Sequence, residues 1–142
     1  MKNRKLLLIL IVLTGFFLRL NLLDSVPPHP SLDEVSIGYN AYSILKTGMD
    51  EFGNSHPILL RAYDDYRPAH YTYLVVPFIK LFGLNVFAVR MPSALLSIAT
   101  IISVYFLIKS LFRKFKRVEL LALATTGMLA ISPWHIYISR LG

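Results

Sequence analysis

The chain has 142 residues, is 55% hydrophobic and has a mean hydropathy of +0.55, above the roughly 45–50% apolar content of a soluble domain. Its 15 Lys and Arg against 8 Asp and Glu give a net charge of +7. Nearly all of these charges fall outside three long apolar runs, so the excess describes loops at a membrane surface and no nucleic-acid partner is expected. With no cysteine, disulfide frameworks, thiolate zinc sites, redox motifs and cysteine nucleophiles are excluded together.

A bilayer core about 30 Å thick takes around 20 apolar residues in a helix. The first run, Leu6 to Leu23, is 18 residues long and follows the basic start Lys2, Arg4 and Lys5. No small-x-small cleavage site follows it, and Arg19 and Asn21 interrupt it, so it reads as an uncleaved signal-anchor. The loop from Asp24 to Arg90 then holds seven of the eight acidic residues: Asp24, Asp33, Glu34, Asp50, Glu51, Asp64 and Asp65. Val26-Pro-Pro-His-Pro30 predicts an extended lead-in, because proline fixes φ and excludes helix. Ser31 with Glu34 three residues on is a capping box, so a helix is predicted over about 32–47, with Val35, Gly38, Tyr39, Tyr42 and Leu45 on one face and Gly48 ending it.

Asp33 and Glu34 fall in the first turn of that helix. Acids there offset the helix dipole and need no further role. The sharper reading makes Asp33 a general base at the membrane–water boundary, where partial desolvation raises carboxylate basicity. The cofactor stays open: a divalent metal at His29, Asp33 and Glu34 is conceivable by count but lacks a recognised ligand spacing. From Tyr63 the chain packs charge and aromatics into eleven residues, Tyr-Asp-Asp-Tyr-Arg-Pro-Ala-His-Tyr-Thr-Tyr, in which Arg67 and His70 are able to donate to a phosphate, Arg bidentately.

The stretch 70–91 is apolar but is broken by Pro77, Lys80, Gly83 and Asn85, and its longest uncharged pieces are nine residues each. If it spanned the bilayer, the cluster Arg113, Lys114, Lys116 and Arg117 would face the same side as the acidic loop, against the positive-inside bias. It is therefore predicted as an interfacial helix over about 70–84. The second span is Pro92 to Phe112, with Arg90 in its first turn ahead of Pro92. A cation at an outward helix N-terminus opposes both dipole and topology, so Arg90 either snorkels or meets a phosphate or carboxylate. A cytoplasmic loop, 113–118, leads to the third span, 119–138.

The predicted fold is all-α: a polytopic module of residues 1–142 with three transmembrane helices and two interfacial helices in the first extracytoplasmic loop. Its N-terminus faces the cytoplasm, in a plasma membrane of bacterial type. The chain stops at Gly142 as the third span regains the outer surface, which reads as the N-terminal part of a longer protein.

Four segments carry a resemblance. Ser31 to Leu45 (SLDEVSIGYNAYSIL), Asp65 to Pro68 (DYRP), Leu81 to Leu95 (LFGLNVFAVRMPSAL) and Ile131 to Arg140 (ISPWHIYISR) are together similar to the N-terminal part of GT-C glycosyltransferases of the protein O-mannosyltransferase / lipid A aminoarabinose transferase superfamily. The resemblance implies a large multispanning enzyme that takes sugar from a polyprenyl-phosphate carrier at its first extracytoplasmic loop, and of which this chain alone would be inactive. Asp33 matches the family's first acidic position and Glu34 its neighbour. Arg67-Pro68 matches a Lys/His-Pro-Pro-Leu element that meets the carrier's phosphate, with Arg in place of Lys, Ala69 in place of the second Pro and His70 in place of Leu. Arg90 matches the active-site arginine of an Arg-x-Pro-Ser-Ala-like segment. The implied reaction is inverting transfer: Asp33 deprotonates an acceptor hydroxyl of unknown identity, and Arg90 with Arg67 or His70 stabilises the departing phosphate. The competing expectation is a small non-enzymatic integral membrane protein, an assembly or lipid-handling subunit, in which the acids cap helices and the arginines bind membrane lipids.

Overall fold

The computed structural model describes residues 2–62 and 65–142, the side chains of residues 2 and 3 excepted. The expected Tyr63 and Asp64 of the aromatic run, and the Lys2 side chain, lie outside the described residues. The elements are α1 (Lys2–Leu20), α2 (Leu32–Thr47), β1 (Leu59–Ala62), β2 (Asp65–Pro68), α3 (His70–Phe82), α4 (Val86–Leu111), α5 (Val118–Ile131) and α6 (Pro133–Ser139). They form two compact units, one of the residues up to Asn21 with Ala94–Ser139 and one of Leu22–Ser93 with Arg140–Gly142.

In the first unit, Leu8 and Ile11 of α1 pack with Tyr105 and Ile108 of α4 and Ala122 and Leu123 of α5. Gly15 permits the close approach of α1 and α4, since a Cβ there would stand 2.8 Å from Ile101 Cδ1. The stretch 119–138, expected as one span, is instead two helices bent by 58° at Ser132. Pro133 has no N–H to return to Leu129, so the α5 carbonyls need other donors. Arg19, fully buried, supplies them: Nη1 donates to Ala130 O at 2.9 Å and to Gly15 O at 3.1 Å, and Nη2 donates to Leu129 O at 3.3 Å. Nη2 also lies 2.7 Å from His135 Nδ1. Among the described residues, α4 is long and apolar enough to cross a membrane, and α5 with α6 qualifies as a bent pair.

In the second unit, Ile37 and Ala41 of α2, Val75 and Ile79 of α3, and Ala88 and Val89 at the start of α4 make the core. Ser31 accepts from the Glu34 N–H while Glu34 accepts from the Ser31 N–H, closing the capping box, and Gly48 ends α2 in the left-handed region at φ 74°. Of the apolar face expected on α2, Val35, Tyr39 and Tyr42 are uncovered and only Gly38 is buried. Ile37, Gly38 and Ala41 are buried, while Leu32, Val35, Tyr39 and Tyr42 are exposed, which leaves the helix with a second, uncovered apolar stripe. Pro77 does not break α3, which runs through it. The all-α expectation missed a small hairpin: β1 and β2 pair antiparallel with Leu60 opposite Arg67. The 26–30 lead-in is bent rather than uniformly extended, with a cis Val26–Pro27 bond and His29 at φ 64°. The second predicted span also begins earlier than expected, at Val86, where Asn85 caps the helix by accepting from the Ala88 N–H at 2.8 Å.

Candidate active site

The carboxylates of Asp33 and Glu34 start in the same helical turn and end in different places. Consecutive helical side chains diverge by about 100°, so one points out of the unit and the other into it. Asp33 Oδ1 accepts from Arg67 Nη1 at 2.9 Å, with side-chain exposures of 73% and 22%. Glu34 is buried, and Arg90 Nε donates to its Oε1 at 2.6 Å while Nη2 donates to Oε2 at 3.2 Å. The desolvation expected at Asp33 is therefore found at Glu34.

Arg90 spends every N–H it has. Beyond the two bonds to Glu34, Nη1 donates to Leu23 O and to Pro27 O at 3.0 Å each, and Nη2 donates to His29 O at 3.2 Å. Five donors meet five acceptors, the full capacity of a guanidinium. Of the partners left open for Arg90, the carboxylate of Glu34 is the one found, and in this arrangement Arg90 has no donor left for a substrate phosphate. Burial pushes the Glu34 carboxyl upward, but the hydrogen bonds and charge of Arg90, with the Ser31 and Gly142 N–H groups, outweigh it and hold the carboxyl below its ordinary range.

Pro92, expected near the start of the second span, sits inside α4. Tyr71 manages the neighbouring ladder: its hydroxyl donates to Val89 O at 2.8 Å and accepts from the Ser93 N–H at 3.3 Å. An unbroken helix pairs those two groups with each other, so the phenol is inserted in the ladder one turn from Arg90. Burial, then the charge of Glu34, pushes the Tyr71 hydroxyl up to about 12, and it stays protonated. Sequence reasoning missed Tyr71; nothing in its tyrosine-rich surroundings singles it out.

Arg67 contrasts with Arg90. It projects from β2, and its Nε and Nη2 are shielded from solvent and have no hydrogen-bond partner among the described residues. These two nitrogens form one edge of the guanidinium, the edge that grips a carboxylate or phosphate bidentately. His70, the first residue of α3, is exposed. No group of three or more His, Asp or Glu is gathered in metal-binding fashion among the described residues, and His29 contributes its carbonyl to Arg90.

Residues 66–141 match the family model described as dolichyl-phosphate-mannose-protein mannosyltransferase. This is just over half of the chain. The chain belongs to the dolichyl-phosphate-mannose-protein mannosyltransferase family. No curated protein and no solved structure matches it. Membership in this mannosyltransferase family makes the protein membrane-integral, in keeping with the apolar α4. The matched segment contains Arg67, His70, Tyr71 and Arg90 but neither acid. Asp33 and Glu34 enter the site through geometry, each bonded to an arginine of the matched segment.

Proposed function

We propose that the protein is a glycosyltransferase that uses a polyprenyl-phosphate-linked sugar, with Asp33 as the base and Arg67 as the phosphate ligand. The observation that carries this reading is the Asp33–Arg67 pair, in which Nη1 holds the carboxylate and the Nε/Nη2 edge has no partner among the described residues. A buried donor left unpaired costs about 1–3 kcal/mol, and two phosphate oxygens would relieve both at once. One guanidinium then bridges the base and the leaving group. Asp33 takes the proton of an acceptor hydroxyl as its oxygen attacks the anomeric carbon. The bond from that carbon to the phosphate oxygen breaks on the opposite face, inverting the configuration, and Arg67 stabilises the charge on the departing polyprenyl phosphate. Glu34 and Arg90 hold α2 and α4 in register beneath this site and touch neither partner.

The exposed stripe of Leu32, Val35, Tyr39 and Tyr42 supports α2 as an interfacial helix on the extracytoplasmic side, with residues 6–23, 92–112 and 119–138 as membrane-embedded segments. Labelling of a Ser110→Cys variant by an impermeant reagent from outside would overturn that orientation.

The reaction is tested in membranes carrying the protein at its natural full length, supplied with a radiolabelled sugar on polyprenyl phosphate. Transfer with inverted configuration that disappears in Asp33→Asn is the expected result. Retained configuration rules out single displacement, undiminished transfer by Asp33→Asn returns the acid to helix capping, and no transfer by the unaltered protein favours a lipid-handling role.

A further inference from the structure

The opposite chemistry from the acidic loop gathers at one end of the first unit. A cleft of about 330 Å³ is lined there by Arg4 and Lys5 from the start of α1, Tyr105 and Lys109 near the end of α4, and Glu119 in the first turn of α5. Its size is at the lower end of small-molecule sites, roughly 300–1,000 Å³. Glu119 is the sole acid of this unit, and it is already engaged: the Tyr105 hydroxyl donates to its Oε1 at 2.6 Å and Lys109 Nζ lies 3.4 Å from its Oε2. Arg4 feels the charge of Glu119 but, like Lys5, makes no hydrogen bond or ion pair among the described residues, and the turn that follows α4 adds Arg113, Lys114, Lys116 and Arg117, all exposed. The cleft therefore holds a surplus of positive charge that the protein does not neutralise.

Its walls are of the other kind. Leu8 and Phe106 complete the lining, and Leu7, Phe106, Leu107 and Leu111 beside it are exposed. Cations at the mouth with uncovered apolar surface running down from them match an amphiphile. A soluble polyanion would find half of this surface wrong for it.

We propose that this cleft binds the headgroup of an anionic phospholipid, with Arg4 and Lys5 on the phosphate and the acyl chains along the exposed apolar flank of α1 and α4. Each basic residue near an anionic membrane surface adds binding free energy on the order of 1 kcal/mol, so the charge of the cleft discriminates between lipids of equal chain length. The site is distinct from the donor-phosphate ligand proposed for Arg67, shares no residue with it and does not depend on the transfer chemistry.

The test uses the full chain in a zwitterionic detergent, titrated with phosphatidylglycerol, phosphatidylcholine or glycerophosphate, with bound species counted by native mass spectrometry. Phosphatidylglycerol is expected to bind at one saturable site about tenfold or more tighter than phosphatidylcholine. The double variant Arg4→Gln/Lys5→Gln should remove most of that preference, and Arg4→Lys/Lys5→Arg should keep it. Glu119→Gln should tighten phosphatidylglycerol binding, because it removes the one negative charge in the cleft; a purely structural role for Glu119 predicts no such gain. Equal affinity for the two lipids, or a preference untouched by the double variant, overturns the proposal. Glycerophosphate binding as tightly as the intact lipid also overturns it, since the cleft would then be a site for soluble phosphates.

Discussion

Asp33 and Glu34 are adjacent in sequence, yet one faces Arg67 across exposed ground and the other faces Arg90 in the interior. The buried pair is complete: two carboxylate oxygens and three backbone carbonyls occupy all five N–H groups of Arg90. The exposed pair has a single bond, and the Nε/Nη2 edge of its guanidinium has no partner among the described residues. A satisfied ion pair fixes structure, whereas one with unspent donors is able to take a ligand. The resemblance that assigns both arginines to one phosphate site is thus divided by the hydrogen-bond count.

The largest effect is expected from breaking the buried pair. Arg90→Ala leaves a buried carboxylate without its counter-charge and removes the Arg90 donors from three carbonyls, and should cost about 3–5 kcal/mol, seen as a lower midpoint in thermal unfolding followed by circular dichroism. A well-folded Arg90→Ala protein that has lost only donor affinity would reverse the division and make Arg90 the phosphate ligand. The same pair sets an acid limit. The carboxyl of folded Glu34 titrates below its ordinary value of 4.5, so its stabilisation is complete above about that pH and is lost as pH falls through the lower folded value. Glu34→Gln should be less stable near neutrality and should show a flatter decline in acid.

On the exposed side, Asp33→Asn should reduce transfer by about 10²–10⁴-fold, the usual worth of a general base, while stability changes by no more than about 1 kcal/mol. Arg67→Lys keeps the charge but loses the planar edge, and should weaken donor binding about tenfold with an unchanged unfolding midpoint. A lysine variant that binds donor like the parent would show that a point charge suffices. Tyr71→Phe tests the link to α4 and should have the smallest effect, about 0.5–1.5 kcal/mol, because Val89 O and Ser93 N–H are able to pair directly once the phenol is gone.

Local signals in the sequence carried α2 well. The Ser31–Glu34 capping box and Gly48 define its ends because caps are made within one turn. Partner choice was not legible. Glu34 and Arg90 are 56 residues apart and Asp33 and Arg67 are 34 apart, and nothing in a helix-period pattern says which cation folds back on which acid. The hairpin escaped for a related reason: Leu59–Ala62 and Asp65–Pro68 are four residues each, too short for alternation to stand out. The prolines misled in both directions. An N1 proline costs nothing, so Pro92 reads as a helix start, but Tyr71, twenty-one positions upstream, allows it inside α4. Pro133 interrupts the expected third span, and Arg19 makes that break tolerable.

The stretch from Leu22 to His29 has little regular structure of its own. Arg90 takes the carbonyls of Leu23, Pro27 and His29, and Arg140 takes those of Leu22 and Val26 at 2.8 and 3.0 Å. Two guanidiniums thus stand in for the neighbouring strand that the segment lacks, and both are made much later than the segment they hold, by 67 residues for Leu23 and 118 for Leu22. The piece of chain that leaves α1 is therefore secured from far downstream, by Arg90 and Arg140.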